Sequence, residues 1–262
     1  MNTLGLKEPP VGPAIKICGL TRAEDVRLAA GLGAWAVGFV LAVSPRQVTA
    51  EEVRELAKVA RAAPRPGALP APLVVGVFAA ASLADILAVA RVAELDGVQL
   101  HGGPVPEAAA VRAAVEVERG AKGGAVRELL VIQALPVASA GADRAALAGE
   151  VAAALRAGAD LVVLDTARGG QFGGSGCPFA WEGAAEATQV GPVLVAGGIG
   201  PHNVGEALTR SGAWGVDVSS GIERSPGEKD PGLMEQLFEE AAASWLRRQV
   251  PGTGWRRWKA SV

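Results

Sequence analysis

Cys18 lies in the run Lys16-Ile17-Cys18-Gly19, and Asp165 follows the apolar run 161–164 in Leu164-Asp165-Thr166. A thiol acts as base or nucleophile only as its thiolate, so a reference pKa of ~8.5 has to be lowered by a nearby positive charge or a helix terminus. Alternation along a strand puts positions 16 and 18 on one face, which makes Lys16 a candidate for that charge. The inert alternative for Cys18 is a small buried hydrophobe. An unpaired carboxylate after an apolar run is costly. Asp165 is therefore either hydrogen-bonded structurally or held near neutrality as an acid, its pKa raised by burial.

Other residue types bound the chemistry further. The glycines of Ala196-Gly197-Gly198 and of Ser219-Ser220-Gly221 leave backbone N–H groups free to converge on a phosphate, with no β-carbon in the way. Each glycine alone would serve equally well to turn the chain. A glycine-rich stretch over 168–176 reads as a lid or a second phosphate cradle. It does not join a strand directly to a helix with an acidic residue later, so a nicotinamide cofactor is not expected. Two cysteines, Cys18 and Cys177, with two histidines, His101 and His202, make neither a disulfide framework nor a four-ligand zinc site. A metal-free, cytoplasmic protein is expected. With 27 acidic and 25 basic residues the net charge is −2, which gives no electrostatic case for nucleic acid or an anionic membrane surface. Residues 1–13 have no apolar core of a secretory signal, and no apolar run is long enough to span a membrane.

These residues need elements to position them. Short apolar strands are expected at 15–19, 36–40, 73–78, 97–102, 128–135, 161–166, 193–199 and 216–222, with helices at 23–33, 49–62, 82–95, 106–118, 142–158, 181–188, 201–211 and 231–250. In the second helix Val53, Leu56, Ala57 and Ala60 share one face, and Thr49 with Glu52 forms a capping box. Strands that are apolar throughout imply a parallel sheet covered on both sides. Eight strand-helix units point to a single α/β domain, a closed (β/α)₈ TIM barrel over 14–250, with an open doubly wound sheet as the alternative. Residues 1–13 are an N-terminal extension, 62–72 a Pro-rich insertion and 251–262 a basic tail that reads as a solvated terminus. In a barrel, function collects at the C-terminal ends of the strands, where Cys18, His101, Asp165, Gly197, Gly198 and Ser220 fall.

Taken together, Lys16-Ile17-Cys18-Gly19-Leu20-Thr21, Ser44-Pro45-Arg46, Gly76-Val77-Phe78, Val98-Gln99-Leu100-His101-Gly102, Leu164-Asp165-Thr166, Gly173-Gly174-Ser175-Gly176, Gly197-Gly198-Ile199-Gly200-Pro201-His202-Asn203 and Asp217-Val218-Ser219-Ser220-Gly221-Ile222-Glu223, with Pro226-Gly227-Glu228-Lys229-Asp230, resemble the phosphoribosylanthranilate isomerase family over roughly residues 14 to 245. The resemblance implies a cofactor-free Amadori rearrangement of N-(5-phosphoribosyl)anthranilate in tryptophan biosynthesis. It makes Asp165 the general acid and Cys18 the general base. Arg46 matches the residue that pairs with the anthranilate carboxylate, Gly197, Gly198, Ser220 and Gly221 match the phosphate loops, and His101 matches a pocket residue. The only partner expected beyond this phosphorylated small molecule is a second copy of the chain, in a monomer or homodimer.

The chain departs from the family pattern at Ala180, where an aspartate is common, and at Ala79-Ala80, where Val-Asn is common. Rival readings are a related sugar-phosphate isomerase or a Schiff-base lyase on the same barrel, for which Lys16 is the one lysine at a strand end, and a binder of phosphoribosyl compounds without turnover.

Overall fold

The structure, a computed structural model, describes residues 12–67, 69–102, 106–121, 128–138, 143–168, 171–172 and 180–248. Among them eight parallel strands form one closed sheet: β1 (Ala14–Ile17), β2 (Ala36–Val40), β3 (Leu73–Phe78), β4 (Gly97–Leu100), β5 (Leu130–Ala138), β6 (Leu161–Arg168), β7 (Val193–Ala196) and β8 (Gly215–Val218). Each strand pairs with its successor, and β8 pairs with β1 from Ala14↔Gly215 to Ile17↔Val218. The β8–β1 pairing closes the ring and removes the open-sheet alternative. Antiparallel additions are the pair Gln171–Phe172, which folds back on the end of β6, and the hairpin Glu223–Ser225 with Glu228–Lys229.

Alternation along the strands sorts the side chains into two cores. Outward residues such as Ile17, Phe39, Val74, Val98, Val131 and Val216 pack beneath the helices. Inward residues, including Ala14, Ala36, Val75, Ile132, Val163 and Leu194, fill the ring. At the N-terminal end of the barrel Trp35 and Trp214 meet edge to face, with ring centroids 5.0 Å apart.

The helices are α1 (Ala23–Gly31), α2 (Ala50–Ala62), α3 (Leu83–Val92), α4 (Ala108–Ala121), α5 (Arg144–Arg156), α6 (Val204–Ser211) and α7 (Pro231–Arg248). Their starts follow the local chemistry. Thr49 and Glu52 make the reciprocal capping box of α2, Ser82 accepts from Asp85 N at α3, and Asp143 accepts from Ala145 N and Ala146 N at α5. Pro231 opens α7, where its missing N–H costs nothing.

Between β6 and β7 the expected helix over 181–188 is replaced by two short 3₁₀ turns, Trp181–Ala184 and Ala187–Gln189. Ala180 supplies no side-chain cap, Gly183 weakens the middle, and so short a segment does not recover the cost of nucleating an α-helix. Strand ends also differ from expectation. β1 stops at Ile17 because Gly19 turns the chain at φ +69°, and β5 runs on to Ala138 in register with β6.

A brace recurs at the N-terminal end of the barrel. Arg61 of α2 pairs with Asp96, just before β4, and also donates to Glu94 O; Asp96 accepts from Val74 N. Two units later Arg112 of α4 pairs with Asp160, just before β6, and donates to Gly158 O, while Asp160 accepts from Val131 N. Each arginine thus ties a helix to the chain entering the second strand beyond it. Glu94 and Gly158 both have positive φ, +53° and +98°.

Candidate active site

At the C-terminal end of the ring a cavity of about 440 Å³ opens. Cys18, Arg46, His101 and Asp165 line it, together with Gly197 and Gly198 from the loop after β7 and Ser220 and Gly221 from the loop after β8. The eight residues singled out from the sequence are therefore brought to one place.

β1 supplies the floor. Lys16 points into the ring, fully buried, and its Nζ donates to both oxygens of Asp217, at 2.9 and 2.8 Å. The two are register partners across the β1–β8 seam. Burial works against the Lys16 ammonium, but the charge of Asp217, and that of the Cys18 sulfur when it is ionised, outweigh it, so the lysine is held charged. Cys18 follows one step past β1, its N–H donating to Val218 O at 2.8 Å. Gly38 of β2 leaves the room these groups occupy, since a β-carbon there would lie 2.9 Å from Cys18 Sγ and 3.1 Å from Lys16 Nζ.

The expected lowering of the thiol is not what this environment does. Burial pushes the Cys18 thiol up, Lys16 pulls it down, Asp217 pushes it up again, and burial prevails. The thiol is therefore protonated at neutral pH, beside a cation able to stabilise the thiolate once it forms.

Asp165 projects inward from β6 and is 8% exposed. Burial first, and Asp217 second, raise its carboxyl to about 7, against a backbone hydrogen bond at Thr166 and the charge of Lys16. His101 Nε2 stands 3.6 Å from Asp165 Oδ2, and its Nδ1 is 3.3 Å from Gln99 Nε2. Burial holds the imidazole pKa down, so His101 is neutral near pH 7.

The two glycine loops touch backbone to backbone. A β-carbon on Gly221 would clash with Ile199 O, and Gly197 adopts φ +87° directly against Thr166. Asn203 braces the first loop by accepting from Gly200 N at 2.8 Å and donating to Gly198 O at 2.9 Å. With α6 starting just after it, this corner suits a phosphate dianion.

Arg46 is not a free cation. Its Nε donates to Glu223 Oε1 at 2.9 Å and its Nη2 to Glu223 Oε2 at 2.6 Å, a side-on bidentate pair. Glu223, Lys229, Asp217 and Gln99 were not singled out as site residues. Asp217 could have been found from alternation, since it shares a face with Ser219 and meets Lys16 in register.

Among the described residues no group of three or more His, Cys, Asp and Glu side chains is arranged to hold a metal ion, and no helix is long and apolar enough to cross a membrane. The glycine stretch at 169–170 and 173–176, Cys177, and the terminal segments 1–11 and 249–262 lie outside the described residues.

Residues 15–240 match the family described as N-(5'-phosphoribosyl)anthranilate isomerase. A relative of that name from Rubrobacter xylanophilus is 40% identical over 232 residues, 88% of this chain and 98% of its own length. The crystal structure of phosphoribosyl anthranilate isomerase from Thermus thermophilus superposes with a TM-score of 0.67 at 31% identity, covering 88% of this chain and 98% of that one. A further isomerase structure, in complex with reduced 1-(o-carboxyphenylamino)-1-deoxyribulose 5-phosphate, aligns with a TM-score of 0.64 at 28% identity, covering 88% and 99%.

Proposed function

The chain belongs to the N-(5'-phosphoribosyl)anthranilate isomerase family, enzymes of tryptophan biosynthesis that catalyse an aldose-ketose isomerisation, and we propose that here Asp165 and Cys18 carry the proton transfers of that reaction. The observation that carries this reading is a carboxyl raised by burial to about 7 and a lysine-paired thiol sharing one cavity, on strands three places apart around the ring.

Asp165, raised to about 7 and so carrying its proton in about half the molecules at neutral pH, gives that proton to the ring oxygen of the phosphoribosyl group. The bond from that oxygen to C1 breaks, and the anthranilate nitrogen lone pair forms the C=N of a Schiff base. The Cys18 thiolate removes the C2 proton, the C2–H electrons form C1=C2, and the iminium becomes an enolamine. Return of a proton to C1 with loss of the C2 hydroxyl proton gives the ketose. No atom is gained or lost, and no redox partner is required. Lys16, fixed by Asp217, stabilises the thiolate electrostatically.

The glycine loops after β7 and β8 bind the phosphate, and Arg46 receives the anthranilate carboxylate. A Schiff-base lyase would need an uncharged lysine, and Lys16 is held charged by Asp217, which speaks against that reading. The cytoplasm as location and a monomer or homodimer as assembly belong to the same proposal.

Cys18→Ala and Asp165→Ala are each expected to lower kcat by about three orders of magnitude with the fold retained by circular dichroism. Turnover of freshly generated phosphoribosylanthranilate measures this, and near-normal turnover by either variant removes that residue from its role. Loss of activity in Cys177→Ala, with the fold intact, would instead mean that the other thiol is the base.

A further inference from the structure

Glu223 and Lys229 form a hub that the proton-transfer chemistry does not use. Both come from the hairpin that follows β8, and both are buried, with side-chain exposures of 5% and 0%. Glu223 Oε1 accepts from Lys229 Nζ at 2.7 Å, while its two oxygens take the Nε and Nη2 edge of Arg46. Lys229 Nζ also donates to Cys18 O at 2.7 Å and to Ser219 O at 3.1 Å. The backbone of the hairpin is anchored in turn, with Lys229 N donating to Asp25 Oδ2 and Thr21 Oγ1 to Gly227 O. Two side chains therefore reach the residue after β1, the loop after β2 and the loop after β8.

A guanidinium has five N–H donors in a rigid fork, and Glu223 occupies one edge of it. Nη1 has no hydrogen bond to a described residue, and Arg46 lines the cavity. We infer that Glu223, itself held by Lys229, is a positioning residue that turns the open edge of Arg46 toward the substrate carboxylate at a fixed offset from Cys18. The inference rests on the reading of Arg46 as the carboxylate partner. The ion pairs support it further: burial alone would raise the Glu223 carboxyl, but Arg46 and Lys229 hold it below the usual range, so the brace is ionised at neutral pH.

The test compares inhibition by two compounds: reduced 1-(o-carboxyphenylamino)-1-deoxyribulose 5-phosphate, and its counterpart lacking the carboxyl group. The protein is expected to favour the carboxylated compound, and Arg46→Ala to abolish that preference. Glu223→Gln keeps the shape but presents an amide to two cationic donors. It should cost on the order of tenfold of the preference while binding of the uncarboxylated compound is unchanged. A structural role alone would weaken both compounds equally, and that result overturns the inference, as does an undiminished preference. Loss of preference in Arg46→Ala without loss in Glu223→Gln overturns the positioning role only, whereas an undiminished preference in Arg46→Ala overturns the carboxylate reading itself. If Glu223→Gln does not fold, Arg46→Lys, which cannot make the two-point contact, should show the same tenfold loss, and full preference there counts against the proposal.

Discussion

Asp165 is the residue whose two demands conflict most directly. Its carboxyl rises from 3.8 unfolded to about 7 in the folded chain, chiefly through burial. A raised pKa means the native state binds this proton more tightly. The associated stability is present below pH 4 and is lost as pH climbs to 7, after which the ionised group remains a burden. Asp165→Asn should therefore cut turnover by orders of magnitude yet raise stability at pH 8 by a few kcal/mol, on the order set by three pH units of linkage, and leave it nearly unchanged at pH 3.5. Urea unfolding at the two pH values checks this, and an equal effect at both would refute it.

The pair also dictates an unusual pH profile. With the proposed roles of acid and base, the productive form needs Asp165 protonated and Cys18 ionised, although the thiol has the higher pKa of the two. That form carries one proton over the pair, as does its unproductive tautomer. kcat/KM should therefore rise through pH about 7 and fall only above the thiol's pKa. In Asp165→Asn the limb near 7 should vanish from the residual activity.

At the scale of elements, the two arginine braces are an internal comparison. Arg61 with Asp96 and Arg112 with Asp160 repeat each other down to the carbonyl that each arginine caps. That carbonyl belongs to Gly158 in one copy and to Glu94 in the other, both with positive φ just past a helix. A side chain in this conformation costs about 1 kcal/mol or more. Glu94→Gly is expected to stabilise the protein by about 1 kcal/mol, raising Tm by roughly 2–4 °C in thermal melts; a lower Tm would show that the exposed pairs of Glu94 with Arg54 and Arg61 outweigh the strain.

Elements were legible where local chemistry acts alone. Thr49 with Glu52, Ser82 and Pro231 mark their helix starts within a residue. In the stretch 181–188 Trp181, Ala184 and Ala187 recur at helical spacing, yet periodicity does not reveal a missing cap. Likewise the catalytic candidates stood out by residue type, whereas the Arg46–Glu223 contact joins positions 177 apart, and only ring closure brings them together.

For the molecule as a whole, the seam between first and last strands is held by a buried ion pair as well as by backbone bonds. Removing one member leaves the other charged and unpaired in the ring. Asp217→Leu should cost about 3–5 kcal/mol, while Lys16→Met with Asp217→Leu should be close to neutral in stability and still poor in turnover, since the thiolate loses its partner. Chemical denaturation of both variants decides this, and a double variant as unstable as the single one would mean the pair contributes more than its own desolvation.

The opposite end of the seam carries a different consequence. Trp35 precedes β2 and Trp214 precedes β8, the two neighbours of β1, and their indoles touch only when the sheet has come full circle. The chain has no tyrosine, so its near-ultraviolet absorption is almost entirely indole. The pair is a built-in optical gauge of ring closure, and its dichroic band during refolding should appear later than the far-ultraviolet signal of the helices.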